Sequence, residues 1–244
     1  MISVCLASHN GERFIRQQVE SILKQLSKDD ELIVSDDSST DLTVEILKSF
    51  NDSRIVVIHH DSPKAIPGYM CATLNFENAL KYASGDYIFL SDQDDVWVDN
   101  KVAIMMNYLR NYSYVVSDCF VTDKDLKVIS DTRFTKESGI TKNKYMAFLK
   151  STPFQGSCAA FRREVLGVAM PFPQGIQSHD RWIGFVAAFY FNYKIIPDRL
   201  IYYRRYESNL STGVEGKSDA SIIEKIENRF QYIRGLLKVR KRKI

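Results

Sequence analysis

Two hydrophobic periods alternate along the first half of this chain. Val4 to Ala7 is a short apolar run that stops at Ser8-His9-Asn10, as a buried strand does at a polar edge. Ile15, Val19, Ile22, Leu23 and Leu26 then recur on one face of a predicted helix. Glu31 to Ser35 (ELIVS) reads as the next strand, halted by Asp36-Asp37-Ser38-Ser39. Leu42, Ile46, Leu47 and Phe50 mark a second helix, with Asp41 as its N-cap. Arg54 to Ile58 gives a third strand, and Phe76, Ala79, Leu80 and Ala83 give a third helix closed by Gly85. Tyr87 to Ser91 (YIFLS) is a fourth strand. Val102, Met105, Met106 and Leu109 form a further helix face, and Tyr114 to Phe120 another strand.

Strands that are apolar almost throughout, alternating with helices, predict an α/β fold whose mostly parallel sheet is covered on both faces. In open sheets of this kind ligands bind beyond the carboxyl ends of the strands. Ser8-His9-Asn10, Asp36-Asp37-Ser38 and Asp92-Gln93-Asp94-Asp95 each follow a strand, so the pattern predicts that they converge on one edge. The second half is less regular. Residues 122–144 read as loop, Tyr145 to Leu149 as a short helix and Ser157 to Phe161 as a strand. Asp180 to Tyr190 reads as a buried helix, and Tyr193 to Arg204 as a strand pair or one long strand bent around Pro197. From Asp219 onward, Ile222, Ile223, Ile226, Phe230, Ile233 and Leu237 outline an amphipathic helix.

Composition narrows this picture. The chain has 244 residues, 45% hydrophobic and 26% charged, which suits one folded domain with small appendages and excludes wholesale disorder. Its net charge of +3 is unevenly placed. Lys238, Arg240, Lys241, Arg242 and Lys243 crowd the C-terminus, and the other 28 basic residues face 30 acidic ones. A nucleic-acid binder spreads basic charge over a folded face, so nucleic acid is not an expected partner. Cys5, Cys71, Cys119 and Cys158 are far apart and form no CxxC pair. Cys5 and Cys158 lie in apolar runs, so buried thiols are expected rather than a zinc site or disulfide framework. MISVCLASHN lacks the layout of a signal peptide, and no window holds 18 uncharged apolar residues. The expected location is cytoplasmic.

The chemistry lies in the acidic strand ends. Asp92, Asp94 and Asp95 put three carboxylates within four residues, and their repulsion is relieved by a divalent cation bridging diphosphate oxygens. Mg²⁺ and Mn²⁺ take oxygen ligands and need only one or two carboxylates beside phosphate and water. The plainer alternative is a solvated acidic turn leading to a helix near Asp99. For Asp36-Asp37 the alternatives are a carboxylate receiving a nucleobase imide N–H, or a simple strand-to-helix turn. Absences matter too. No GxGxxG follows the first strand, and neither GxxxxGK[ST] nor GxSxG occurs.

LASHNGERF, ELIVSDDSSTD, ASGDYIFLSDQDDVW, GSCAAFRREVL and SHDRW, in that order, resemble family 2 glycosyltransferases of the GT-A fold, from Met1 to about Gly213. SDQDDVW with the later YRRYESNLSTG looks like bacterial rhamnosyltransferase-type members of polysaccharide and O-antigen pathways. The resemblance implies a domain over 1–213, with a nucleotide-binding half (1–120) and an acceptor-binding half (121–213), followed by a helix and basic tail over 214–244. It implies that Ala7, His9, Asn10 and Glu12 line the nucleobase and ribose, that Asp37 contacts the base with Asp36 nearby, and that Gln93 lies within a DxD-type motif. In that motif Asp92 faces the ribose and Asp94 binds Mn²⁺ or Mg²⁺. Asp180 matches the catalytic carboxylate, preceded by His179 where the family more often has Glu. Arg204 or Arg205 would meet the diphosphate, and Tyr206 stands where many relatives have His. His179, Trp97 and Trp182 are candidate acceptor contacts, the tryptophans equally open to ordinary packing.

The implied reaction moves a sugar from a UDP- or dTDP-linked donor to a hydroxyl of a saccharide or lipid-linked saccharide. Asp180 would act as general base in a single inverting displacement. Read without the resemblance, Asp180 caps the helix to Tyr190. Two rival classes are a nucleotide-sugar-binding module without turnover and a nucleotidyltransferase. The first is countered by the presence of both Asp94 and Asp180, the second by the poor phosphate loop in ASHNGERF. The C-terminal helix and tail suit either peripheral contact with anionic membrane or packing on the domain.

Overall fold

The computed structural model describes residues 1–134, 144–149, 154–206 and 222–242. Nine strands and eight helices follow the order β1 (Ile2–Ser8), α1 (Ile15–Leu23), β2 (Glu31–Asp37), α2 (Thr43–Ser49), β3 (Ile55–His60), α3 (Gly68–Tyr82), β4 (Tyr87–Asp92), β5 (Val96–Trp97) and α4 (Lys101–Leu109) among the described residues. They continue with β6 (Tyr114–Thr122), β7 (Val128–Ser130), α5 (Lys144–Leu149), β8 (Ala159–Arg162), α6 (Arg163–Ala169), α7 (His179–Tyr190), β9 (Tyr193–Arg204) and α8 (Ile222–Arg242). One mixed sheet runs β3-β2-β1-β4-β8-β6-β9-β5, with β7 on β6. Its first four strands are parallel, β8 is antiparallel to both β4 and β6, β9 is parallel to β6, and β5 is antiparallel to β9.

The central strands are apolar on both faces because both are covered. Val4, Cys5 and Leu6 of β1, and Ile88, Phe89 and Leu90 of β4, are fully buried. The helix α3 packs on β1 and β2, and α4 on β6 and β8. Cys5, Cys119 and Cys158 are buried, and all four cysteines are free. No described helix is long and apolar enough to cross a membrane.

The structure departs from the sequence pattern where elements are short or bent. The two-residue β5 is too brief for any period to show, and α6 directly follows β8. The helix α3 begins at Gly68, well before Phe76, the first position of its predicted apolar face. The segment ending at Arg204 is one long strand. Between the pairs Val116↔Ile195 and Asp118↔Arg199 it carries two more residues than β6, around Pro197. A bulge of this kind absorbs the proline's missing N–H.

Both tryptophans belong to the core, which corrects their reading as acceptor contacts. Trp97, 1% exposed, lies against Phe89 with ring centroids 5.8 Å apart. Trp182, 0% exposed, donates its indole N–H to the Ala169 carbonyl at 2.9 Å. β5 and α7 turn these side chains inward, where their large apolar faces are worth most. The 213/214 boundary, together with Asn209 and Ser211 of the late motif, lies outside the described residues.

Candidate active site at the carboxyl edge of the sheet

Register brings the polar strand ends level. Ser8 pairs with Asp36 and Ala7 with Asp92, so the ends of β2, β1 and β4 form one continuous edge. Side chains then lock the loops together. The Gln93 amide clasps the His9 backbone, accepting from its N–H at 2.9 Å and donating to its carbonyl at 3.0 Å. The His9 ring meets the Asp37 carbonyl at 2.6 Å through Nδ1. Asn10 sits at φ 48° and accepts the Thr40 N–H at 2.8 Å, a left-handed turn that asparagine tolerates. From α3, Asn75 donates to the Ser8 carbonyl at 3.0 Å, a tie the sequence pattern did not reveal.

The two acids at the end of β2 have separate duties. Asp36 is 4% exposed and accepts from Ser39 N–H (3.0 Å), Ser39 Oγ (2.6 Å) and Ser8 Oγ (2.8 Å). It is an internal brace of the loop, which corrects its placement among donor contacts. Asp37 accepts the Ser62 N–H at 2.8 Å and so sits where the 61–67 loop begins. Glu12 reaches across to the start of α2, accepting the Leu42 N–H at 3.0 Å.

The acidic loop after β4 is held from the far side of the sheet. Arg204, only 2% exposed, donates to the Asp94 carbonyl at 3.0 Å and to Gln17 Oε1, and lies over the Phe14 ring at 4.5 Å. Its backbone N–H reaches Asp95 at 3.2 Å. Arg204 is thus a buried brace for the loop, which corrects its reading as an open diphosphate contact. Tyr206 Oη donates to Asp94 Oδ2 at 2.7 Å.

Charge concentrates here. Asp92 is pushed up to about 7, by burial first, then by the charges of Asp94 and Asp180. Burial also raises Asp94, and it raises Asp95 well above the carboxylate range, with Asp94 and Asp92 adding to it. Asp92 therefore feels both its loop neighbour and an aspartate 88 positions further along the chain. That distant acid, Asp180, stands in the first turn of α7, where Ser178 Oγ donates to its Oδ1 and the Arg181 N–H does so at 2.6 Å.

His179 is packed as well. Its ring stacks on Phe76 with centroids 3.8 Å apart, and its N–H reaches Thr73 Oγ1 at 3.2 Å. Its Nε2 is buried without a partner and so close to Gly156 that a Cβ there would lie 2.7 Å away. Burial lowers its pKa to about 4, keeping the ring neutral. His179 thus precedes Asp180 at the start of α7 with its ring held against Phe76.

Two basic residues of this region were not singled out from the sequence. Arg133 lies in the stretch read as loop, donates to Gln155 Oε1, lies 5.1 Å from the Tyr203 ring centre, and lowers the Asp92 pKa. Asp118, a buried acid within β6, holds that stretch by accepting the Arg133 N–H at 3.1 Å and the Thr132 hydroxyl. An aspartate interrupting an otherwise apolar strand was the available signal. Lys101 is fully buried, donates to the Ser157 carbonyl at 2.7 Å and lies over Trp97 at 4.7 Å. Burial lowers its pKa to about 8.

Among the described residues no group of three or more His, Cys, Asp or Glu side chains is arranged to hold a metal ion. The donor set is instead a crowded pair, Asp92 and Asp94, whose repulsion a divalent cation would relieve while phosphate oxygens and water complete its shell. The residues fit such an ion.

The family described as glycosyl transferase family 2 matches residues 3–168. Among curated relatives, the Escherichia coli UDP-Glc:alpha-D-GlcNAc-diphosphoundecaprenol beta-1,3-glucosyltransferase WfgD is 31% identical over 148 residues, covering 60% of this chain and 55% of that protein. The Shigella flexneri dTDP-rhamnosyl transferase RfbG is 35% identical over 100 residues, covering 40% of this chain and 34% of that protein. The chain spans about half the length of the first of these relatives. The structure of S. aureus TarS 1-349 in complex with UDP-GlcNAc superposes with a TM-score of 0.67 at 16% identity, over 97% of this chain and 72% of that one. The mannosyltransferase PcManGT from Pyrobaculum calidifontis, in complex with GDP-Man and Mn²⁺, gives 0.57 at 20% identity, over 81% and 55%. At such identities the likeness speaks for the fold.

Proposed function

The chain belongs to glycosyl transferase family 2, and on that premise we propose that it moves a sugar from a UDP- or dTDP-linked donor to an acceptor hydroxyl with inversion at the anomeric carbon. The observation that carries this reading is the shared position of Asp92, whose carboxyl responds both to Asp94 of its own loop and to Asp180 of α7. A donor-side acid pair and a remote acid are thus close enough for Asp92 to feel the charge of both. Asp37, Ala7, His9, Asn10 and Glu12 are assigned to the nucleobase and ribose, the His9 ring lying against the Asp37 carbonyl, and Gln93 keeps the first and fourth strand ends together. Asp92 and Asp94 would hold Mn²⁺ or Mg²⁺, which when bound offsets the charge developing on the departing diphosphate. Asp180 receives the acceptor's proton as the acceptor oxygen bonds to the anomeric carbon and the bond from that carbon to the phosphate oxygen breaks. No covalent enzyme intermediate is required.

The proposed acceptor is a saccharide or a lipid-linked saccharide of cell-surface polysaccharide synthesis, as the name of the E. coli relative supports. The proposed place of action is the cytoplasmic face of the membrane, in peripheral contact. The test is to supply a panel of nucleotide sugars with Mn²⁺ or Mg²⁺ and identify the phosphate product. Release of nucleoside diphosphate from one donor is expected. Pyrophosphate as product would move the chain to nucleotidyl transfer, and binding without release would make it a module without turnover.

A further inference from the structure

The C-terminal helix α8 has two apolar faces. Its inner face, Tyr232, Leu236 and Val239, is buried on the domain. There Tyr232 meets Phe185 edge-on at 5.2 Å, and Tyr190 Oη donates to the Leu236 carbonyl at 2.5 Å. Gly235 lets the helix approach Trp182 so closely that a Cβ would lie 2.8 Å from the indole. The outer face is different. Phe230, Ile233 and Leu237 are 60%, 40% and 54% exposed and fall at i, i+3 and i+7, one stripe along the helix. Arg234 and Lys238, both exposed, run along one flank of that stripe, and from Phe230 to Val239 the helix carries no acid. The sequence adds Arg240, Lys241, Arg242 and Lys243 just beyond.

A solvated helix face has no reason to carry a phenylalanine, an isoleucine and a leucine in register. We propose that the outer face of α8 is a docking surface for an anionic lipid bilayer, with Phe230, Ile233 and Leu237 entering the interface and Arg234 and Lys238 meeting lipid phosphates. This rests on the peripheral contact proposed above and names the surface that makes it. Charge selects the occupant. A second copy packed helix to helix would bring Arg234 and Lys238 toward their own counterparts, whereas an anionic headgroup layer satisfies them, each adding about 1 kcal/mol near such a surface. The helix also touches the chemistry. Tyr232 Oη reaches the Ser178 carbonyl at 3.5 Å, and Ser178 Oγ bonds Asp180. A docked α8 therefore holds the start of α7, and Asp180 with it, near the surface where a lipid-linked hydroxyl would arrive.

Sedimentation of the full chain with vesicles, without donor or acceptor, tests this. The chain should pellet with phosphatidylglycerol-containing vesicles, weaken as salt rises, and remain in solution with pure phosphatidylcholine. The triple substitution Phe230→Ser, Ile233→Ser, Leu237→Ser touches exposed positions only, and should lower binding tenfold or more with an unchanged melting temperature. Arg234→Glu with Lys238→Glu should do the same and remove the salt dependence. If the unsubstituted chain binds no vesicle, peripheral contact itself fails. If it binds and both variants bind equally well, only the assignment to α8 fails. A dimer in solution that the triple substitution dissociates would give the surface to a second copy and overturn the proposal.

Discussion

Asp94 and Asp180 show how little of a residue's duty its letter carries. Both are aspartates beside apolar segments, yet one is held by Tyr206 Oη and sits at the edge of the sheet, while the other opens a helix and is held by Ser178. On the proposed roles they fail differently. Asp94→Asn should weaken Mn²⁺-dependent binding of nucleoside diphosphate by tenfold or more, read by calorimetry, because a neutral amide is a poor partner for a hard dication. Asp180→Asn should leave that affinity within about twofold and reduce kcat by 10²-fold or more, the usual contribution of a general base. A fully active Asp180→Asn enzyme would remove Asp180 from the role. Burial decided the residues that changed assignment. Asp36, Arg204, Trp97 and Trp182 have the right chemistry for a ligand, but each is 4% exposed or less. Sequence order carries residue type and strand position. It does not carry which side of a loop turns inward.

At the scale of elements, legibility followed period. The alternation through the first four strands was readable because β1, β2 and β4 are nearly continuous buried runs, the edge strand β3 is apolar though only partly covered, and each helix repeats its apolar positions. That alone brought Ser8, Asp36 and Asp92 to one edge, since parallel strands in register must end together. Contacts built from single residues were not readable. The pairing of β5 with β9 registers only Val96 and Trp97, and Asp118 ties down the loop that carries Arg133. The seat of α8 was equally hidden, since the same stripe spacing serves a packed face and an exposed one. Gly235 marks where that helix meets Trp182 and Pro173, with a Cβ placed 2.8 and 2.9 Å from rigid ring atoms of the two. Gly235→Val should therefore lower stability by about 1–3 kcal/mol through overpacking. It should also raise amide exchange in α8 more than in β1. Exchange unchanged in α8 would mean the helix is seated elsewhere.

For the whole molecule, the acidic edge makes stability depend on pH and on cations together. Asp92 has a folded pKa of about 7 against an ordinary value of 3.8, because burial and the charges of Asp94 and Asp180 disfavour its ionised form. The sign follows from proton counting. Between those values the folded chain holds a proton that the unfolded chain has lost, so this group's contribution is fully present below about pH 4 and is lost as pH rises through about 7. His179 works the other way. Buried and neutral with a pKa of about 4 against 6.5, it contributes above pH 6.5 and loses that contribution as pH falls toward 4. A divalent cation acts on the first group only, since it removes the repulsion that holds the Asp92 proton. The rise in Tm produced by Mn²⁺ should therefore be several degrees at pH 8 and smaller at pH 5.5, where the ion must displace that proton. In Asp92→Asn the rise should shrink and lose most of its dependence on pH, while in His179→Gln it should keep that dependence even as the acid side of the metal-free stability curve flattens. Equal stabilisation by Mn²⁺ at both pH values in the unsubstituted chain would mean that the cation binds away from Asp92, and the donor site would have to be sought elsewhere along the same edge.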